Sequence, residues 1–297
     1  MAGETLGRSG GYTPAQMVAE AEKHGFKASE RLISDWAELG LLDVAEKSGR
    51  GRARGIVRTR SEHQLDLFLS LLRQRQHGIN QVGTLANVPV FIWLNGGDSY
   101  VPVRQIVRAL RTWSDRYAKA EWSNAKGAAL GSIAPFIDPA ATDGAKEALR
   151  LALAAAMNGD GRFDRLRVES LLRAVIDPEA TGRAPGPSGA NVTPEGVAAL
   201  LAARFEARAR ARSGTISEAE LRDARMLYLY SHAAYAKEQP GLAADFRSRG
   251  RFAAPALDEV ASRACLDLLT AVGLNADRQV VTTNQEADGA ATRPPSQ

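Results

Sequence analysis

SERLISDWAELGLLDVAEKSGRGRARGIVRTR, residues 29–60, joins two signals of opposite kind. In its first part Leu32, Ile33, Trp36 and Leu39 recur at helical spacing. Ser29 offers an N-cap to that helix and Gly40 a C-terminal stop. In its second part the apolar residues give way to Lys47, Arg50, Arg52, Arg54, Arg58 and Arg60, with no acid among them. Gly49, Gly51 and Gly55 suit a turn, and Ile56-Val57 suit a short strand, so residues 47–60 are expected to form a basic β-hairpin.

The flanks extend the pattern. Upstream, Thr13-Pro14 opens a helix over Tyr12 to Phe26, with Met17, Val18 and Ala21 on its apolar side and Gly25 at its end. Two short helices with a tight connection form a helix-turn-helix pattern. Downstream, Ser61 starts a helix carrying Leu65, Phe68, Leu69 and Leu72, which runs to about His77 and closes at Gly78. The segment from Gln81 to Leu94 stays apolar and helical, interrupted by Pro89.

This order resembles a known family. Helix, turn, a helix ending in Glu38-Leu39-Gly40-Leu41-Leu42, a basic Gly-containing wing and a Leu-rich helix ending in Arg-Gln-His-Gly look like the winged helix-turn-helix of MerR-type transcription regulators. The resemblance covers residues 12–94. The chain departs from the family's usual Arg and two aromatics at Ser34-Asp35-Trp36, and from its Tyr-containing wing at Ile56-Val57-Arg58-Thr59. The resemblance implies a homodimer that binds double-stranded DNA at a partly palindromic site.

Charge agrees with that location. The chain of 297 residues has a net charge of +4, while the fourteen residues 47–60 hold six cations, so the remainder nets −2. A helix in the major groove beside a Gly-rich basic hairpin is well shaped for duplex DNA, with guanidinium forks on phosphate oxygens or in a neighbouring minor groove. Ser29 is expected to cap the second helix and to reach a phosphate. Arg31 and Ser34 face DNA, and Lys47, Arg50, Arg52, Arg54, Arg58 and Arg60 contact phosphate. Six such contacts predict a log–log salt slope of about −5. Trp36 is read as core, with its indole near the hairpin.

The rest of the chain reads as helical, which makes the class mostly α. A flexible start (1–11) precedes the winged domain (12–94). A helical region (100–176), a Pro/Gly-rich linker (177–193), a second helical region (194–274) for dimerisation or sensing, and a disordered tail (275–297) follow. Arg104, Arg108 and Arg111 share one helix face and read as solvated, with an extension of the DNA footprint as the alternative, and Arg204, Arg208 and Arg212 repeat the pattern. The aromatic run around Tyr228, Tyr230 and Tyr235 reads as core or an oligomer contact.

Several classes are set aside. A single cysteine, Cys265, allows no internal disulfide and reads as a buried small side chain in a reducing compartment. The start lacks an apolar signal core, and no apolar run approaches the ~20 residues of a membrane span. The four histidines have no metal-ligand spacing, and no phosphate loop, dinucleotide fingerprint or nucleophile elbow is present. The expectation is a cytoplasmic, nucleoid-associated transcription regulator without catalytic activity, cofactor or metal. The helical remainder leaves room for a small-molecule or protein effector. The alternatives are an adaptor or RNA-binding protein docking through the hairpin, and a replication or partition protein of a mobile element.

Overall fold

The computed structural model describes residues 11–49, 56–115, 133, 136–158, 163–178, 192–238 and 263–276, and they are mostly helical. The chain divides into two compact units: Met1–Trp113 with Asp245–Cys265, and Ser114–Ala244 with Leu266–Gln297.

In unit one, helix α1 (Pro14–Lys23) begins with a capping box: the Thr13 hydroxyl accepts from the Gln16 N–H, and the Gln16 side chain accepts from the Thr13 N–H. Helix α2 (Glu30–Glu38) follows after a short turn. Strands β1 (Glu46–Gly49) and β2 (Ile56–Thr59) pair antiparallel. Helix α3 (Glu62–Gln76) starts from the Ser61 cap. Each of these starts was legible as a Ser or Thr before a periodic run. Short helix α4 (Val82–Leu85) and helix α5 (Asn87–Gly96) come next, split at Ala86. Pro89 lies in the first turn of α5, where its missing N–H costs nothing, rather than breaking a helix interior.

From Asn87 to Leu94 every side chain of α5 is buried, so this helix has no outward face. Asn87 satisfies its amide by accepting from the Cys265 backbone N–H at 2.9 Å and donating to the Thr84 carbonyl at 3.1 Å. Cys265 is itself fully buried. The Trp93 indole N–H donates to Asp98 at 2.7 Å.

Unit one extends past the boundary expected at Leu94. Helix α6 (described over residues 103–115) packs on the end of α2. Thr112 Oγ1 donates to the Leu39 carbonyl at 2.8 Å, and Gln105 Nε2 to the Leu41 carbonyl at 3.0 Å. Gly40 makes this approach possible: it has φ 72°, and a Cβ there would lie 2.4 Å from the Ala109 nitrogen. The helix read as the start of a separate region thus completes the first one.

Unit two contains helices α7 (Asp143–Asn158), α8 (Arg165–Arg173), α9 (Pro194–Ser213), α10 (Glu218–Glu238) and α11 (residues 264–276, from Leu266 onward in this unit). Leu149 and Leu153 of α7, Val168 and Leu172 of α8, and Val197 and Leu201 of α9 share one core. The expected linker therefore does not separate two helical regions, because apolar faces on both sides of it bury each other; its residues 179–191 lie outside the described residues. Phe163 stacks on Phe205 at 5.2 Å. Arg204, expected in a solvated row, is buried, and its Nε donates to Thr270 Oγ1 at 2.8 Å. Tyr228 is buried, whereas Tyr230 is 80% exposed. Of the expected flexible start (1–11) and disordered tail (275–297), residues 1–10 and 277–297 lie outside the described residues, and residues 275–276 belong to α11.

Candidate functional site

The outward side of α2 is set by what the helix buries. Ile33, Trp36 and Ala37 face the core, so the helical period leaves Glu30, Arg31, Ser34, Asp35 and Glu38 exposed. Ser29 Oγ accepts from the Leu32 N–H at 3.2 Å and fixes the first turn. Arg31 is 90% exposed, with its Nε 3.9 Å from Asp35 one turn on, a loose and solvated pair. Ser34 Oγ donates back to the Glu30 carbonyl at 3.2 Å. Three carboxylates against one guanidinium make this face acidic, a feature missed by reading Arg31 and Ser34 alone. Trp36 packs edge-on against Phe68 of α3 at 5.7 Å, with the Arg75 guanidinium of the same helix 6.0 Å from its ring.

The hairpin register is Glu46 to Thr59, Lys47 to Arg58, Ser48 to Val57 and Gly49 to Ile56. Lys47 and Arg58 therefore occupy directly opposed positions, and Arg58 is exposed. Tyr12 extends this pairing by one residue: its N–H donates to the Arg60 carbonyl at 2.7 Å, and the Arg60 N–H donates to the Tyr12 carbonyl at 2.8 Å. The start of α1 is thereby tied to the base of the hairpin. Arg50, Arg52 and Arg54 lie outside the described residues.

Arg60 is placed differently from the expectation of a phosphate contact. It is 8% exposed, its Nε donates to the Asp43 carbonyl at 2.9 Å, and its Nη1 is buried without a hydrogen-bond partner. Burial pulls this guanidinium below its ordinary pKa, and the Asp43 charge opposes that pull. The reason is topological: Arg60 follows the last strand pair and is turned inward where Tyr12 closes the ladder.

Asp43 is the centre of this inward cluster. Arg104 Nη2 donates to its Oδ2 at 2.5 Å and Arg108 Nη2 to its Oδ1 at 2.9 Å. The Asp43 N–H donates to Gln64 Oε1 at 2.7 Å, and Gln64 Nε2 passes the chain on to Gln105 Oε1 at 2.9 Å. Burial pushes the Asp43 carboxyl up. The hydrogen bonds from Arg104, Arg108 and the Val44 backbone, with the Arg104 charge, outweigh burial and hold it below the ordinary value of 3.8. One residue thus binds the loop after α2, the start of α3, the base of the hairpin and α6.

Arg104 and Arg108 are therefore not a simple solvated row, whereas Arg111 is exposed. The signal that could have found the cluster was faint. Gln64 sits one turn before Phe68 on the apolar side of α3, and Asp43 directly follows two buried leucines, Leu41 and Leu42. Neither position reveals its partner, since the partners lie as far as 65 residues away. Among the described residues no group of three or more His, Cys, Asp or Glu is placed to hold a metal ion. Among the same residues no helix is long and apolar enough to cross a membrane. Comparison with protein-family models, curated proteins and solved structures finds no match to this chain.

Proposed function

We propose that the chain is a sequence-specific duplex-DNA-binding protein, a transcription regulator whose unit one is a winged helix-turn-helix of MerR-like type. The observation that carries this reading is the hairpin's attachment: a basic, Gly-rich hairpin is tied by the Tyr12–Arg60 bridge and the Asp43 cluster to a two-helix unit that leaves one face of α2 exposed. In this reading α2 enters the major groove through Arg31 and Ser34, with Ser29 at its N-terminus near a phosphate. Lys47, Arg50, Arg52, Arg54 and Arg58 contact phosphate or the minor groove. Arg60 positions the hairpin instead. The protein acts as a nucleoid-associated homodimer, and unit two serves dimerisation or sensing.

Fluorescence anisotropy of the full chain on duplex DNA across salt tests this. Five phosphate contacts predict a log–log slope of about −4.5. A salt-independent response, or unchanged binding when the hairpin arginines become Ala, removes the proposal. Immunoprecipitation with genome-wide sequencing then separates a promoter regulator from a replication or partition protein, because promoter sites are dispersed and origin sites are iterated.

A second reading rests on the acidic face of α2. Glu30, Asp35 and Glu38 repel phosphate unless base contacts compensate, which leaves the hairpin to bind by itself, docking an acidic protein or RNA. Co-purification that recovers protein or RNA but no DNA favours that reading.

A further inference from the structure

We propose that Arg104 of α6 is a phosphate-binding residue oriented by Asp43, so that the anion-contacting surface of unit one runs from the hairpin onto α6; this rests on the duplex-DNA reading above. Arg104 Nε lies 3.1 Å from Asp43 Oδ2 and its Nη2 lies 2.5 Å from the same atom, which fixes the plane of the guanidinium. The pair is asymmetric: the Asp43 side chain is 6% exposed and that of Arg104 is 49% exposed. The carboxylate is turned inward and the cation outward. A guanidinium carries more N–H donors than one carboxylate edge can take, so Arg104 presents the remainder to the surface already oriented. An anion arriving there meets a donor whose side-chain freedom has been spent in folding, which lowers the cost of binding it.

Two further observations point to an anion at this surface. First, Arg60, Arg104 and Arg108 gather around Asp43. The cluster holds more donors and more positive charge than its carboxylate balances. Second, Arg104 Nη2 lies 3.5 Å from Glu46 Oε1, which places it beside β1, one residue before Lys47 of the basic hairpin. Glu46 is itself 80% exposed, so it yields to a competing anion by turning into solvent. A backbone phosphate is the anion that this position offers next to the hairpin's own contacts. Asp43 acts as a positioning residue, since it reaches the phosphate only through Arg104.

The experiment compares the full-length wild type with Arg104→Gln on random-sequence duplex DNA and on a selected site, by anisotropy across salt, with thermal melts in parallel. The expected result is several-fold weaker binding on both duplexes and a salt slope shallower by about 0.9. A folded Arg104→Gln protein with wild-type affinity and slope overturns this inference and leaves the hairpin reading standing. Absence of duplex binding by the wild type overturns both. The unsubstituted chain supplies a readout that no folding defect can obscure: phenylglyoxal modification of Arg104, read by peptide mass, is expected to fall when duplex is bound. Unchanged Arg104 modification on a saturated complex overturns the assignment.

Discussion

Asp43 and Gly40 show how much of unit one depends on single atoms. The folded pKa of Asp43 lies below its ordinary value of 3.8. Its contribution to stability is therefore complete above that value and is lost as pH falls below it, through the depressed folded pKa. Asp43→Asn is expected to flatten this acid limb in melts recorded as pH falls from neutral through 3.8. At neutral pH the same substitution should cost about 3 kcal/mol, because the buried Arg60 loses its counter-charge. Gly40 has φ 72° and no space for a Cβ, whereas Gly25 has φ 77° and nothing within 4 Å. Gly25→Ala should cost only the left-handed backbone penalty of about 1 kcal/mol. Gly40→Ala adds a backbone collision with α6 and should cost several times more. Equal melting shifts for the two variants would contradict the packing of α6 on α2.

At the scale of elements, the hairpin assigns different tasks to arginines that look alike in sequence. Arg58 is exposed on β2, and Arg60, two residues on, is buried beneath the Tyr12 bridge. Arg58→Ala is expected to leave the melting temperature within error and to weaken duplex binding with a shallower salt slope. Arg60→Ala should do the reverse first, lowering stability by about 1–3 kcal/mol because the buried Asp43 carbonyl loses its hydrogen-bond donor. The reverse ranking in paired melts and anisotropy titrations would show that the inward turn of Arg60 is misassigned. The helix caps behave more simply. The Ser29 hydroxyl makes one local bond to the Leu32 N–H, so Ser29→Ala should cost about 1 kcal/mol in a thermal melt.

At the scale of the whole molecule, two cores replace the expected succession of small domains. In unit two the close approach of α11 to α9 depends on Gly273, where a Cβ would lie 2.2 Å from the Ala203 carbonyl oxygen. Gly273→Ala should therefore destabilise by about 1–3 kcal/mol, as overpacking does. Gly144 near the start of α7 has open space around it, so Gly144→Ala should be neutral or stabilise by about 0.5 kcal/mol. Guanidinium titrations of both variants check the contrast, and a neutral Gly273→Ala would remove the α9–α11 contact. The same unit shows why a Pro/Gly-rich stretch is poor evidence for a domain boundary: Leu172 before it and Val197 after it belong to one core.

Local chemistry was legible in the sequence by itself. Thr13, Ser29 and Ser61 each precede a helix because a hydroxyl satisfies backbone donors within the next turn. The antiparallel hairpin, the burial of Trp36 and Cys265, and the mostly helical class followed from periodicity and residue type for the same reason, which is that the interacting groups lie a few residues apart or depend on hydrophobicity alone. Only the tertiary structure decided which arginines face outward. Arg60, Arg104 and Arg204 resemble their neighbours in any window of sequence, but their environments are set by Asp43 and Thr270, which are 17, 61 and 66 residues away. A charged side chain can be buried only where partners offset its desolvation, so the outcome depends on what the fold brings within hydrogen-bond reach. The extent of unit one was decided in the same way, by a glycine at position 40 that makes room for a helix the sequence placed in another domain.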